Sequence, residues 1–271
     1  MTANIFQIYY SNATKSVLDP GFLPLDNSSN ERPDWREYWP IRRYLLENSL
    51  VDGDYYGFLS PAFKEKTGLT AAAVVDFVER GGGEPEVVLF SPFYDLIAFF
   101  LNQWEQGGMT HSNQPLFERS LELVAPDFNM YDTASTALNS VFCNYFVAKP
   151  AFWRAWLERC ERVFSCAELA DTALGQALSE GIDYKSEKVP AKVFVIERVA
   201  SALLATQPRW QVSAYNPMLL PFSHSTVNNL GEELVALDAL KIAFSVDPRQ
   251  QYKRAFFQLR AKFAQMNRLR R

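Results

Sequence analysis

Two short apolar runs in this chain stop in the same way. YYGFL (55–59) ends at Ser60-Pro61, and VVLF (87–90) ends at Ser91-Pro92. Runs of four or five apolar residues bounded by turn signals read as short strands, here buried ones. Buried strands with polar ends, alternating with helical segments, point to an open α/β sheet. Sheets of that kind bind ligands in the crevice outside the carboxyl ends of their strands. The polar strand ends therefore mark the edge where function would sit.

The rest of the chain can be placed around that sheet. NIFQIYY (4–10) is a β-rich opening run. An amide-rich loop with Asn27 and Asn30 follows, and Pro33-Asp34 opens a helix that runs to Glu47. Pro40 is expected to kink or split that helix. Asp52-Gly53-Asp54 has the form of a DxD metal motif, but it precedes a strand, where Gly between two Asp residues favours a turn. A helix over 71–80 is capped by Thr70 and ended by Gly81 to Gly83. Lys66-Thr67-Gly68 lacks the preceding glycines of a phosphate loop. A helix over 96–106 is expected to close at Gly107-Gly108, and another to cover 115–124. SVFCNYFVAK (140–149) reads as a strong strand interrupted by Asn144, an amide that is either paired to backbone or aimed into a site. Pro150 opens a helix whose stripe of Phe152, Trp153, Trp156 and Cys160 is core. A mobile polar stretch over 181–188 leads to a single apolar helix over 191–206 with Glu197-Arg198 in its middle. That couple is either a solvated or internally paired set of charges, or a carboxylate at the mouth of the sheet. His224, in a Ser/Thr-rich loop, is either a hydrogen-bonded loop residue or a ligand.

Charge and cysteine usage bound the function classes. A net charge of −4 argues against a nucleic-acid partner. Three cysteines without CxxC spacing suit a reducing compartment rather than a disulfide framework. Neither a signal peptide nor a membrane span is expected, so the protein is read as cytoplasmic. The C-terminus changes character. After Asp247 come eight of the 27 Lys and Arg and none of the 31 Asp and Glu, on a helix with the stripe Tyr252, Phe256, Leu259, Phe263 and Met266. This is either a docked helix with a solvated basic face or one that contacts an anionic membrane or a lipid diphosphate. The expected organisation is one domain over 1–230 with a helical extension over 231–271 packed on or beside it.

On these residues the chain resembles bacterial glycosyltransferases of the GT-A superfamily, of the kind found in capsular and O-antigen polysaccharide loci. Asp26-Asn27…Asn30-Glu31 followed by Glu37-Tyr38-Trp39 and Arg42 is similar to that group's "D…N…ELT..YW..KN" pattern. Tyr55-Tyr56-Gly57-Phe58-Leu59 is similar to "Y.GL.HYRRYF". Asn144-Tyr145-Phe146 with the aromatic helix after it resembles "N.FI…..F..Y..WLF", and Phe194 to Val199 resembles "GFLSERL". Order and rough spacing agree over 4–206. Ser60-Pro61-Ala62-Phe63 stands where the group carries His-Tyr-Arg-Arg and where many GT-A enzymes carry the metal-binding DxD.

The resemblance implies a GT-A-like, mixed but mostly parallel sheet flanked by helices. It also implies transfer of a sugar from a nucleotide-sugar donor to a glycan or lipid-linked acceptor. Its rival is a non-catalytic module that binds a nucleotide sugar or glycan and partners another transferase. Donor contacts are expected from Tyr9, Tyr10, Asn27, Asn30, Glu37, Trp39, Arg42 and Ser60. Diphosphate charge would fall to Mg²⁺ or Mn²⁺, or to Arg42, Arg43, Lys64 and Lys66. The acceptor hydroxyl needs a carboxylate base, for which Glu197 is the first choice and Asp95 the second. Asn144, Tyr145, Arg198 and His224 would line the acceptor side.

Overall fold

The structure is a computed structural model that describes residues 2–80, 84–184, 186–224 and 230–269, with side chains as far as Gln265. Gly81 to Gly83, Arg270 and Arg271, and the side chains of Met266 and Arg268, lie outside that description. The chain runs β1 (Ala3–Tyr9), α1 (Asn12–Ser16) and β2 (Leu23–Asp26), then a 3-10 turn (Pro33–Trp35), α2 (Tyr38–Glu47) and β3 (Tyr55–Leu59). Next come α3 (Phe63–Thr67), α4 (Ala71–Arg80), β4 (Val87–Leu89), α5 (Tyr94–Phe99), α6 (Gln103–Thr110), α7 (Gln114–Val124) and β5 (Phe146–Ala148). α8 (Pro150–Leu169), α9 (Ala173–Ser179), β6 (Gly181–Tyr184) and β7 (Glu187–Pro190) precede α10 (Ala191–Ile196), α11 (Val199–Thr206) and β8 (Val212–Ala214). α12 (Gly231–Val246) and α13 (Gln250–Leu269) end it.

Among the described residues the main sheet has six strands in the order β2-β1-β3-β5-β4-β8. Its pairs are parallel except those made by β5, which is antiparallel to both β3 and β4. The fold class is thus α/β with a mixed, mostly parallel sheet. Each central strand feeds two cores by simple alternation. Tyr56, Phe58, Val87, Leu89, Phe146 and Ala148 face a layer built on α2, α8, α10 and α11. Tyr55, Leu59, Val88 and Val147 face α3 and α4. A third cluster joins α5 to α12 and α13 through Tyr94, Ile97, Leu234, Leu237, Phe256 and Phe263. β2 and β3 flank β1 on opposite sides, so strand order reverses at β1. The crevice rule places a ligand where the carboxyl ends of β1 and β3 part.

Several local expectations are corrected. The helix over 34–47 is divided at Arg36 (φ 48°, ψ −133°), not at Pro40. Pro40 sits in the first turn of α2, where its missing N–H costs nothing. The helix over 96–106 is two helices. Asn102 caps α6 by accepting from the Trp104 and Glu105 amides, while its own amide donates to the Met130 and Thr133 carbonyls. Gly107-Gly108 lies inside α6, where a Cβ on Gly107 would stand 2.4 Å from Arg198 Nε. The long strand over 140–149 shrinks to three residues, since Cys143 (φ 57°) and Asn144 (φ 54°) are both left-handed. The polar stretch over 181–188 belongs to the β6–β7 hairpin. β2 and β8 were not foreseen. Both are edge strands; β2 is exposed at three of its four residues and contains Pro24, and β8 is half-buried throughout, so neither carries the apolar signature of the inner strands.

The helix over 191–206 is broken at Glu197-Arg198. In an unbroken helix the Arg198 amide would bond the Phe194 carbonyl. That carbonyl instead accepts from the Arg198 guanidinium at 2.5 Å, and the Arg198 amide turns to Val195.

Candidate active site at the carboxyl edge of the sheet

The break between α10 and α11 leaves Glu197 half-buried, with its side chain 35% exposed, while Arg198 beside it is buried. Glu197 lines a slot with Glu37, Ser60, Lys66, Asn144 and Arg36. The elements that supply them are distinct: Ser60 ends β3, Lys66 is on α3, Arg36 and Glu37 link the 3-10 turn to α2, and Asn144 precedes β5. All lie on the carboxyl side of the parallel strands. Three of the slot's residues, Arg36, Cys143 and Asn144, have positive φ without being glycine. Such conformations cost on the order of 1–3 kcal/mol each and gather at functional sites.

The electrostatics of the slot have one theme. Burial pushes the Glu197 carboxyl above its ordinary value of 4.5; Arg198 and Lys66 pull it down and Glu37 adds to the rise. Burial works against the Lys66 charge, while the nearby Glu197 carboxylate and the hydrogen bond to the Cys143 sulfur favour it. Lys66 Nζ donates to Cys143 Sγ at 3.2 Å and stands 5.9 Å from the Tyr145 ring centre. Burial, with help from Glu197, pushes the Cys143 thiol up to about 12 against Lys66, so it stays neutral. The slot thus holds a lysine beside a carboxyl whose pKa burial raises. That is the pairing expected of a general base set next to an anion-binding group.

Other polar groups gather on the same edge. Tyr145 and Ser60 share a 2.6 Å hydrogen bond, and the Gln7 amide donates to the Ser60 carbonyl. Asn144 Oδ1, both amide atoms of Asn27, and the Tyr10 hydroxyl are buried without a hydrogen-bond partner. Burial pushes the Tyr10 phenol up, Glu37 adding and Arg36 opposing. Buried polar atoms left unpaired are costly, and a polar ligand would relieve them.

The remaining candidates lie elsewhere. Tyr9 is buried against Asp26 under Lys15. Asn30 is an exposed turn residue. Trp39 stacks on Phe164 between the Arg32 and Arg42 guanidinium groups. Arg42 is bound to Glu161 at 2.6 Å, and Arg43 lies near Glu31 and Glu47. Lys64 is exposed on α3. Arg198 is a strut between helices: it donates to the Gln103 carbonyl at 2.8 Å and to Gln106 Oε1 at 2.6 Å. Asp95 and His224 meet at a different place on the edge, where Ser223 bonds both. Trp35 and Trp104 are core residues with no exposed surface, and Trp210 is buried too. Arg36 and Cys143 were missed, since neither lies in a motif and only the left-handed backbone brings them to the slot.

The side chains present do not fit a diphosphate-bridging cation. Asp52 pairs with Arg154 and Asp54 accepts from the Thr2 amide, both at the amino edge of β3. Among the described residues no three His, Cys, Asp or Glu side chains form a ligand set. Lys66 is the cation in place. Any activity of this slot is therefore expected to survive a chelator at least in part, and full loss restored by manganese would refute that. None of the family models, curated proteins or solved structures compared with the chain matches it.

Proposed function

We propose that this chain is a glycosyltransferase of GT-A type. It would move a sugar from a nucleotide-sugar donor to a glycan or lipid-linked acceptor in bacterial surface polysaccharide synthesis. The observation that carries the reading is the meeting of Glu197 and Lys66 in one slot at the carboxyl edge, beside the reversal of strand order. Breaking an anomeric C–O bond asks for a base on the acceptor hydroxyl and positive charge on the leaving diphosphate. Glu197 serves as the base and Lys66 as the diphosphate's counter-charge. Glu37 accepts ribose hydroxyls, and Asn144 faces the acceptor.

The slot encloses about 30 Å³, room for only a water or two. A nucleotide sugar must therefore open it. The β6–β7 hairpin is the element to move. Glu187 holds Arg36 at 2.7 Å, and Tyr184 feels the charges of Lys66 and Glu197. The Arg36–Glu187 pair is exposed, and such pairs contribute roughly 0–1 kcal/mol, so this latch is weak, while the Tyr184 ring against Phe194 must also part.

The test is thermal-shift screening with UDP-, GDP-, CMP- and dTDP-linked sugars, followed by assay of donor hydrolysis and transfer. A true donor at a hundredfold over its Kd stabilises by about 2.7 kcal/mol, a rise of several degrees in Tm. A rise with one nucleotide class and turnover of that donor is the expected result. Binding without turnover would turn the reading to a non-catalytic nucleotide-sugar module, and no binding by any of the four rejects both.

A further inference from the structure

α12 is apolar around most of its circumference. Its inner side packs Leu234, Leu237 and Phe244 against α5. Its outer side, however, exposes Val235, Ala239, Ile242 and Val246, which recur at helical spacing as one stripe, with Val246 82% exposed. The turn whose Ala137 amide bonds Asp238 adds exposed Leu138 beside the helix. A helix that is apolar on both faces usually has something against both.

α13 supplies the second half of the surface. It runs back along α12, and Phe256 and Phe263 enter the same cluster around α5. Both helices turn their buried faces to one body, so their outer faces look the same way. The outer face of α13 carries Gln251, Arg254, Gln258, Lys262 and Gln265, and the helix has no acidic residue. Three of the cations after Asp247 are taken up within the protein: Arg249 by Asp247, Lys253 by Asp132, and Arg260 by Glu105 at 2.9 Å. Arg254 and Lys262 are exposed. Arg268, Arg270 and Arg271 follow in the sequence. The acids of α12 are Glu232 and Glu233 in its first turn and the buried Asp238, and Asp247 after it pairs with Arg249.

An apolar stripe flanked by an acid-free basic strip, on a chain that is acidic overall, matches the interface of a bilayer with anionic headgroups. We infer that the outer side of the α12–α13 pair docks this protein on an anionic membrane surface. The stripe enters the headgroup boundary, and the α13 cations hold the lipid charge. The acidic remainder of the chain is repelled and faces away, which sets the orientation. No described helix is long and apolar enough to cross a membrane, so contact is peripheral. This inference does not depend on the transferase reading, because it concerns binding alone.

The experiment is vesicle flotation of the full chain, with phosphatidylcholine alone and with an equimolar phosphatidylcholine–phosphatidylglycerol mixture. The protein is expected to float with the anionic vesicles at about 0.1 M salt, to stay behind with the neutral ones, and to be released as salt rises. Arg254→Glu with Lys262→Glu reverses two charges. At about 1 kcal/mol per basic residue near the surface, it should weaken partition by more than about tenfold. Ile242→Glu with Val246→Glu places carboxylates in the stripe and should do the same. All four positions are exposed, and unchanged thermal melts verify that the variants fold. Failure to float on anionic vesicles overturns the inference, as does flotation that both variant pairs leave unchanged. A vesicle-free dimer in sedimentation that Ile242→Glu dissolves would assign the stripe to a second copy of the chain, and also overturns it.

Discussion

Glu197→Gln is expected to lower transfer by about 10²–10⁴-fold, the range assigned to a positioned general base, while donor affinity stays near that of the wild type. The amide keeps the size of the carboxylate and its place at the break between α10 and α11, but it cannot take a proton. The pH profile carries a second check. Glu197 must be ionised to act, and burial holds its pKa above 4.5. The rate should therefore fall on the acid side through a pKa above that value, and the limb should vanish in the variant. Lys66 pulls the Glu197 pKa down. Lys66→Met should move the acid limb to higher pH and raise the donor KM, because the diphosphate loses its counter-charge. A limb that does not move, or near-normal turnover in Glu197→Gln, would assign the base elsewhere. Asp95 is the residue to test next, although it already accepts from the Ser223 amide and hydroxyl and from the His224 amide.

Lys241→Met should be the most destabilising single change, by about 3–5 kcal/mol, read as a drop in the denaturant midpoint. Lys241 is buried on α12, and its ammonium donates to the Ile97 carbonyl, to Phe100 O at 2.9 Å and to Ser135 O at 2.6 Å. Ile97 and Phe100 stand at the C-terminal end of α5, where a cation also meets the negative end of the helix dipole. Asp238 is 3.8 Å away and buried, so removing the cation strands both the carbonyls and a carboxylate. Burial pushes Lys241 down from 10.5 to about 8. The folded state then gives up this proton before the unfolded state does. Between about pH 8 and 10.5 the unfolded chain binds more protons, and stability from this group rises with pH. The gap between wild type and Lys241→Met should widen across that window. A loss under about 1 kcal/mol would mean that α12 is held by its apolar face alone. The same lysine ties α12 to α5, with which α12 and α13 share an apolar cluster.

β3 and β4 were legible because they are buried on both faces and run into Ser-Pro. The edge strands β2 and β8 were not, because exposed or half-buried strands of three or four residues carry no such pattern. Glu37, Ser60, Lys66, Asn144 and Glu197 could be picked out singly, as polar residues in apolar company or near strand ends. Their common slot could not be read, since it depends on left-handed backbone at Arg36, Cys143 and Asn144. Periodicity is blind to such single-residue turns. Arg42 and Arg198 were chosen as cations facing a ligand. Each had a nearer partner far away in sequence, Glu161 for the one and Gln103 and Gln106 for the other. Trp39, expected at the donor, stacks on Phe164 instead.

The order of residues by itself determined that this chain makes an α/β sheet with polar strand ends and closes with a basic helix, because burial and turn chemistry are local and periodic. Only the tertiary structure decided which polar residues share the slot and which cations are already taken. Those outcomes depend on pairings between segments as much as 158 residues apart, as between Asp34 and Lys192, which no local pattern encodes.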